Sequence, residues 1–251
     1  MDIKEEEEIK KEFQLERVIL FTDAVFAIIL TIMVLDIKLP ESVRLAGDEH
    51  TAEAFKDLIL KFTAYLITFS LVARFWMEHL KLFRYLKDYD RKLLILNLVF
   101  LFTVTLFPFA VSLITRKVNT ETAESNWMLT IYVMVFFSTV FTQSLIARYL
   151  LKYRDKLCIA TTQLENSFEW KTTRMNFFLL PVFAIAILCF CYFHFAYYFP
   201  LYSITLYGAT ISYFKKKYYP RENEGPILLR LYRYIKPAKK PVIVKHKKVK
   251  E

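Results

Sequence analysis

The chain has 251 residues with a formal net charge of +10, is 55% hydrophobic and 17% aromatic, yet carries charge on 24% of its residues. That balance excludes an ordinary soluble domain unless the charges are segregated, and they are: 93–115, 125–147 and the forty residues 175–214 contain no Asp, Glu, Lys or Arg. Only three glycines occur (Gly47, Gly208, Gly225), which excludes Gly-rich phosphate loops and a glycine-lined carbonyl filter, and residues 215–251 hold 13 Lys/Arg against 3 Asp/Glu, so the remainder is neutral and no nucleic-acid-binding fold is implied.

The N-terminal segment, 1–16, is acidic at Glu5–Glu8 and lacks the basic region and cleavage site of a secretory signal, so the first apolar run is expected to remain in the protein. That first span runs from about Arg17 to Lys38, with an uncharged core from Ala24 to Leu35. Further spans are expected over Phe55–His79, Leu93–Thr115, Asn126–Leu150 and Met175–Tyr197. A sixth, Leu201–Phe214, follows Pro200, which divides the long apolar run. The fold class is thus an all-α integral membrane protein of six transmembrane helices: 17–214 form the membrane domain and 215–251 a basic tail.

Lys/Arg counts set the orientation. The segment Lys81–Lys92 has five and Arg148–Arg174 has six, whereas Leu39–Lys56 and Arg116–Asn126 have two each. Both termini are therefore expected in the cytoplasm of a multi-pass cell-membrane protein, which needs an even number of spans. In the tail, Ile227, Leu228, Leu231, Tyr234 and Ile235 alternate with basic residues ahead of a polybasic end, a pattern suited to anionic lipids or to a plain topology anchor. Cys158, Cys189 and Cys191 have no metal-site spacing and read as small apolar fillers.

On a helical wheel Arg17, Phe21, Ala24, Ile28, Thr31, Ile32 and Leu35 share one face, and Thr22 with Asp23 point away from it. A carboxylate facing lipid is costly, and His79 and Asn97 lie near the same depth on the second and third spans. A buried network of Thr22, Asp23, His79 and Asn97 locking the first three helices is the expectation. The stripe through Ile28, Ile32 and Leu35 fits either ordinary packing or a lining surface. The other histidines, His50, His194 and His246, do not converge on one depth, and neither a nucleophile–base pair nor HExxH occurs. An enzyme is therefore not expected, nor a metal site or cofactor. A secondary or proton-coupled ion transporter is the alternative to a channel, although a carrier normally shows inverted repeats or broken helices.

The series Arg17-x-x-x-Phe21-Thr22-Asp23 resembles the Arg-x-x-x-Phe-Ser-Asp signature of the endolysosomal potassium channels, the transmembrane protein 175 family, and in particular its bacterial members; Thr22 keeps the hydroxyl of the usual serine. Trp76, His79, Asn97 and Pro108-Phe109 continue the resemblance, which extends over about 15–215. It implies a cation channel without a re-entrant loop, in which the first helix lines the pore and single-unit chains assemble as homotetramers. By position it puts the hydrophobic constriction at Ile28, with Ile32 and Leu35 also lining, and a hydroxyl layer linked to potassium preference at Thr31. It assigns Arg17, Phe21, Thr22, Asp23, Trp76, His79 and Asn97 to packing more than to ion contact. Potassium ions are then the permeant species, and selectivity without a carbonyl filter is expected to be modest.

Overall fold

The structure, a computed structural model, describes residues 3–37, 51–115, 123–159, 164, 170–193 and 199–219. The amphipathic part of the tail, the polybasic end, and His50, His194 and His246 lie outside these residues. Apart from one isolated β-bridge, the regular structure of the described residues is helical.

Helix α1 (Ile3–Ile32) ends in a 3-10 turn, Met33–Asp36. It starts well before Arg17 because residues 4–16 are mostly Glu, Lys, Gln and Leu, strong helix formers, with Glu6/Lys10 and Glu7/Lys11 spaced four apart in the favourable order. The acidic segment and the first span thus form one continuous helix. Helix α2 spans Thr51–Phe83. The expected third span divides into α3 (Arg91–Thr105) and α4 (Phe107–Thr115). Pro108 explains the division, since it has no N–H for the carbonyl four residues back and its ring crowds that turn. Leu106 N–H turns instead to the Thr103 carbonyl at 3.4 Å, and the ladder resumes with Ala110 N–H on the Leu106 carbonyl at 2.9 Å. Then follow α5 (Ala123–Lys152), the single turn α6 (Arg154–Leu157), α7 (Trp170–Phe193) and α8 (Phe199–Tyr218).

Among the described residues five segments are long and apolar enough to cross a membrane: Phe13–Leu35, Phe55–Phe83, Arg91–Thr115, Trp127–Lys152 and Trp170–Cys189. The sixth expected span lies in α8, which at 20 residues has sufficient length. Its tyrosines, its hydroxyls and Lys215–Lys217 make it too polar to count with the five.

Helix α5 is the interior element. In its most apolar stretch 61% of residues are buried, against 22% in α1 and 17% in α2 and in α7. It packs on α3, α4, α7 and α8, while α1 packs on α2 and α3. Phe100, Phe107, Val104, Val133 and Ile146 are completely shielded in the resulting core.

One end of the bundle is stitched together by the connections that carry the basic residues. Leu86 and Cys158 form the antiparallel bridge, with Lys87 N–H on the Leu157 carbonyl at 2.9 Å and Ile159 N–H on the Tyr85 carbonyl at 2.8 Å. Asp90 caps α3 by accepting the Leu93 N–H at 2.8 Å, and its second oxygen accepts the Tyr149 hydroxyl proton from α5. Tyr89 donates to Gln14 of α1 at 3.0 Å. The Lys171 N–H at the start of α7 donates to the Tyr219 hydroxyl just past α8, at 3.1 Å. Helix α1 therefore enters its apolar part at the same end at which α8 finishes.

Candidate functional site

The candidate site is α1 together with the residues that fix its rotation. Leu15, Thr22, Phe26, Ile29 and Met33 are buried, at spacings of three, four and seven that define one helix face. On the opposite side Arg17, Phe21, Ala24, Ile28, Thr31, Ile32 and Leu35 are all exposed, Ile28 at 55% and Leu35 at 69%. The seven residues grouped by the wheel thus share the bare side of α1. Thr31 donates its hydroxyl proton to the helix itself, with Oγ1 3.0 Å from the Ala27 carbonyl and 2.9 Å from that of Ile28. Its proton being engaged, the hydroxyl offers lone pairs outward, the correct polarity for a cation.

Three side chains from three helices form a directed hydrogen-bond chain on the buried side. Thr22 Oγ1 donates to the Val18 carbonyl at 3.0 Å, so it accepts from elsewhere, and Asn97 Nδ2 of α3 supplies that proton at 2.9 Å. The Asn97 Oδ1 is then left as an acceptor, 2.9 Å from His79 Nε2 of α2. This direction assigns the His79 proton to Nε2; the reverse orientation of the amide would compete with the Thr22–Val18 bond. The His79 ring stacks on Phe83 at 4.0 Å and on Phe100 at 5.2 Å between centroids, with Phe26 of α1 tilted against it at 6.3 Å. Thr22, His79 and Asn97 are each no more than 2% exposed, so every polar bond here is made away from solvent.

Asp23 does not extend this chain. Its Oδ1 accepts the indole N–H of Trp76 at 2.9 Å, so the fourfold network expected from the sequence is instead a triad with an adjoining carboxylate–indole pair. Trp76 lies three residues before His79 and presents a donor with no acceptor capacity, the complement of a carboxylate. Depth along the helix made His79 an equal candidate; the rotation of α2 selects Trp76.

The sequence reading missed a second chain of the same design in the other half of the bundle. Tyr207 of α8 donates to Asn176 Oδ1 of α7 at 2.8 Å, and Asn176 Nδ2 donates to Ser144 Oγ of α5 at 2.9 Å. Ser144 completes it by donating to the Val140 carbonyl at 2.8 Å. An asparagine in an uncharged run was the available signal, since Asn97 and Asn176 both sit in such runs.

Among the described residues no group of three or more His, Cys, Asp or Glu is placed to hold a metal ion. These features define an all-helical integral membrane protein whose first helix is held by polar and aromatic partners on one side and left bare on the other. Residues 17–108 match the model of the family described as the endosomal/lysosomal potassium channel TMEM175. That segment contains the anchor and the bare stripe together. A potassium channel of the bacterium Streptomyces collinus is 32% identical over 107 residues, 43% of this chain and 50% of the relative. The endosomal/lysosomal proton channel TMEM175 of Gallus gallus is 32% identical over 98 residues, 39% of this chain and 19% of the relative. The matched sequence is thus at most half of either relative's length. In fold, the chain is similar to the crystal structure of a lysosomal potassium-selective channel TMEM175 homolog from Chamaesiphon minutus, with a TM-score of 0.57 at 18% identity over 81% of this chain and 97% of that one. These relatives are ion channels and not enzymes.

Proposed function

We propose that the chain forms a modestly potassium-selective cation channel, a homotetramer in which α1 of each subunit lines a central pore. The observation that carries this reading is the fixed rotation of α1. The Thr22–Asn97–His79 chain, the Asp23–Trp76 pair and Phe26 commit one face to the bundle, leaving Ile28, Thr31, Ile32 and Leu35 outward. Apolar exposure alone does not make a pore, because α2, α3 and α7 also carry exposed apolar side chains, as helices facing lipid do. The relatives' names and the matched segment 17–108 supply the remaining support.

In this reading a ring of Ile28 side chains constricts and dewets the path, acting as a hydrophobic gate. Thr31, about 4.5 Å further along the helix axis, offers hydroxyl oxygens that replace part of a cation's hydration shell. Ile32 and Leu35 line the same path beyond Ile28. Six crossings with both termini in the cytoplasm are supported by the meeting of the α1 entry, the basic connections and the α8 exit at one end of the bundle. The carrier alternative is not favoured, because the relatives matched are named as channels and the break of the third span at Leu106 follows from Pro108.

Potassium flux into proteoliposomes tests the proposal. Ile28→Ala should raise flux, and Thr31→Ala should lower the preference for potassium over sodium while flux persists. Wild-type values of both quantities in both variants would remove the pore from α1. A proton-flux arm measures whether protons share the path.

A further inference from the structure

A cavity of about 320 Å³ lies between α2, α5, α7 and α8, away from the α1 stripe. Its walls include Phe75, Phe136, Val140, Ile204 and Ile211, whereas Arg74, Glu78, Lys81 and Lys215 surround its opening. Glu78 sits between two of the cations, with Arg74 Nε at 3.9 Å and Lys215 Nζ at 3.7 Å. Three cations and one carboxylate leave the opening net positive. The Arg74 side chain is 61% exposed, so its guanidinium remains open to a further anion.

The interior carries an independent mark of a ligand. Thr172 lines the cavity, is 3% exposed, and its hydroxyl has no hydrogen-bond partner among the described residues. A buried hydroxyl without a partner is costly and calls for one. Its polar neighbours are already engaged, Gln143 with the Phe75 carbonyl at 3.0 Å and Asn176 with Ser144 and Tyr207. Gly208 borders the same space, and a Cβ built there meets nothing within 4 Å.

We propose that this cavity is a binding site for an anionic phospholipid. The phosphate takes the cationic opening, a polar atom of the lipid meets the Thr172 hydroxyl, and an acyl chain follows the apolar wall. The opening lies at the end of the bundle that carries the basic connections, where basic pockets between spanning helices meet anionic headgroups. The chain's own tail has the wrong sign for this opening, with 13 Lys/Arg against 3 Asp/Glu over 215–251. The proposal is independent of ion conduction.

Native mass spectrometry of the full-length protein, equilibrated with phosphatidylglycerol or phosphatidylcholine, tests it. Phosphatidylglycerol should be retained in preference to phosphatidylcholine. Retention should fall roughly tenfold or more in Arg74→Gln/Lys215→Gln, which removes two interfacial charges. Gly208→Leu, which fills the open space with a better helix former, should reduce it as strongly while leaving the thermal midpoint no lower. Thr172→Val, nearly isosteric, should weaken retention without changing the charge. Lys217→Gln, a neighbouring lysine that does not line the cavity, controls for general attraction to the basic tail. Undiminished retention in Gly208→Leu and Thr172→Val overturns the site. Equal retention of the two lipids overturns the headgroup assignment. Inorganic phosphate alone, if it reproduces the full thermal shift given by phosphatidylglycerol, overturns the lipid in favour of a free anion.

Discussion

Asn97 is the member of the α1 anchor that both accepts and donates, and this makes it the most costly to lose. Replacing it with leucine removes both bonds and leaves the His79 Nε2–H unpaired and buried beside Phe83 and Phe100. An unmet buried donor costs about 1–3 kcal/mol, whereas polar pairs between membrane helices average nearer 0.6. Burial of all three partners favours the upper range, so Asn97→Leu should destabilise the fold by about 2 kcal/mol in reversible unfolding from mixed micelles. Asn97→Asp is a poor rescue, because its carboxylate cannot donate to Thr22. At the stitched end, Asp90 offers a contrasting case outside the spans. Burial raises its carboxyl pKa, but this is outweighed by the Tyr149 hydroxyl, the Leu93 N–H and the Lys156 and Lys92 ammoniums, which hold it below the ordinary 3.8. A depressed folded pKa means that its stabilisation is fully present above 3.8 and is lost as pH falls through the still lower folded value. Hydrogen exchange at the start of α3 should therefore be insensitive to this group near neutral pH and accelerate only in acid. Asp90→Asn, which can still cap the helix, should remove that acid step; an unchanged step would place the titration elsewhere.

Helices can be read from sequence by their period, and faces by their polarity, but the partner of each face cannot. The split of α1 into a buried side (Thr22, Phe26, Ile29) and a bare side (Ile28, Thr31, Leu35) was legible because 3.6-residue geometry fixes it within one element. That Asp23 meets Trp76 rather than His79 depends on the rotation of α2, which no local signal encodes. The division at Leu106 and the extension of α1 back to Ile3 were not expected from the sequence, although Pro108 and the Glu/Lys composition carry their signals. The interior position of α5 was not legible, since α7 has a comparably apolar sequence and yet lies at the periphery. Helix α8 shows the limit of composition from the other direction, being long enough to cross while carrying four tyrosines among the described side chains Tyr202, Tyr207, Tyr213 and Tyr218. Only Tyr207 among them is buried, where it meets Asn176. Gly208 follows it directly in mid-helix, a position where glycine costs about 0.5–1 kcal/mol relative to alanine. With nothing within 4 Å of the new Cβ, Gly208→Ala should stabilise the protein by roughly that amount, read as a higher midpoint in thermal unfolding. A lower midpoint would mean that the space beside Gly208 is occupied in the folded protein.

For the whole molecule, the proposed assembly requires that the bare face of α1 and the exposed faces of α2, α3 and α7 be sorted between lipid and a shared axis. A ring of introduced thiols separates them, because four cysteines converging on one axis bind a soft divalent ion and one facing lipid does not. The background for this experiment is favourable: Cys158 is 1% exposed, and burial pushes its thiol up to about 11 against the opposing pull of Lys87, so it is a poor ligand at neutral pH. Cys189 is exposed and lies in the apolar stretch of α7, so replacing all three native cysteines with serine gives a clean reference. On that reference, Ile28→Cys and Thr31→Cys should confer block of potassium flux by micromolar cadmium, reversed by a chelator. Phe178→Cys on the bare side of α7 should not, although Phe178 is 71% exposed and more accessible by that measure than Ile28. Phe26→Cys tests the opposite side of α1, where the side chain packs against His79 and Phe100. Cadmium sensitivity at 28 and 31 without sensitivity at 26 or 178 follows only if α1 presents its bare stripe to a common axis. Block at 178 equal to that at 28 would move the ion path to α7 and leave the Thr22–Asn97–His79 anchor with a purely structural role.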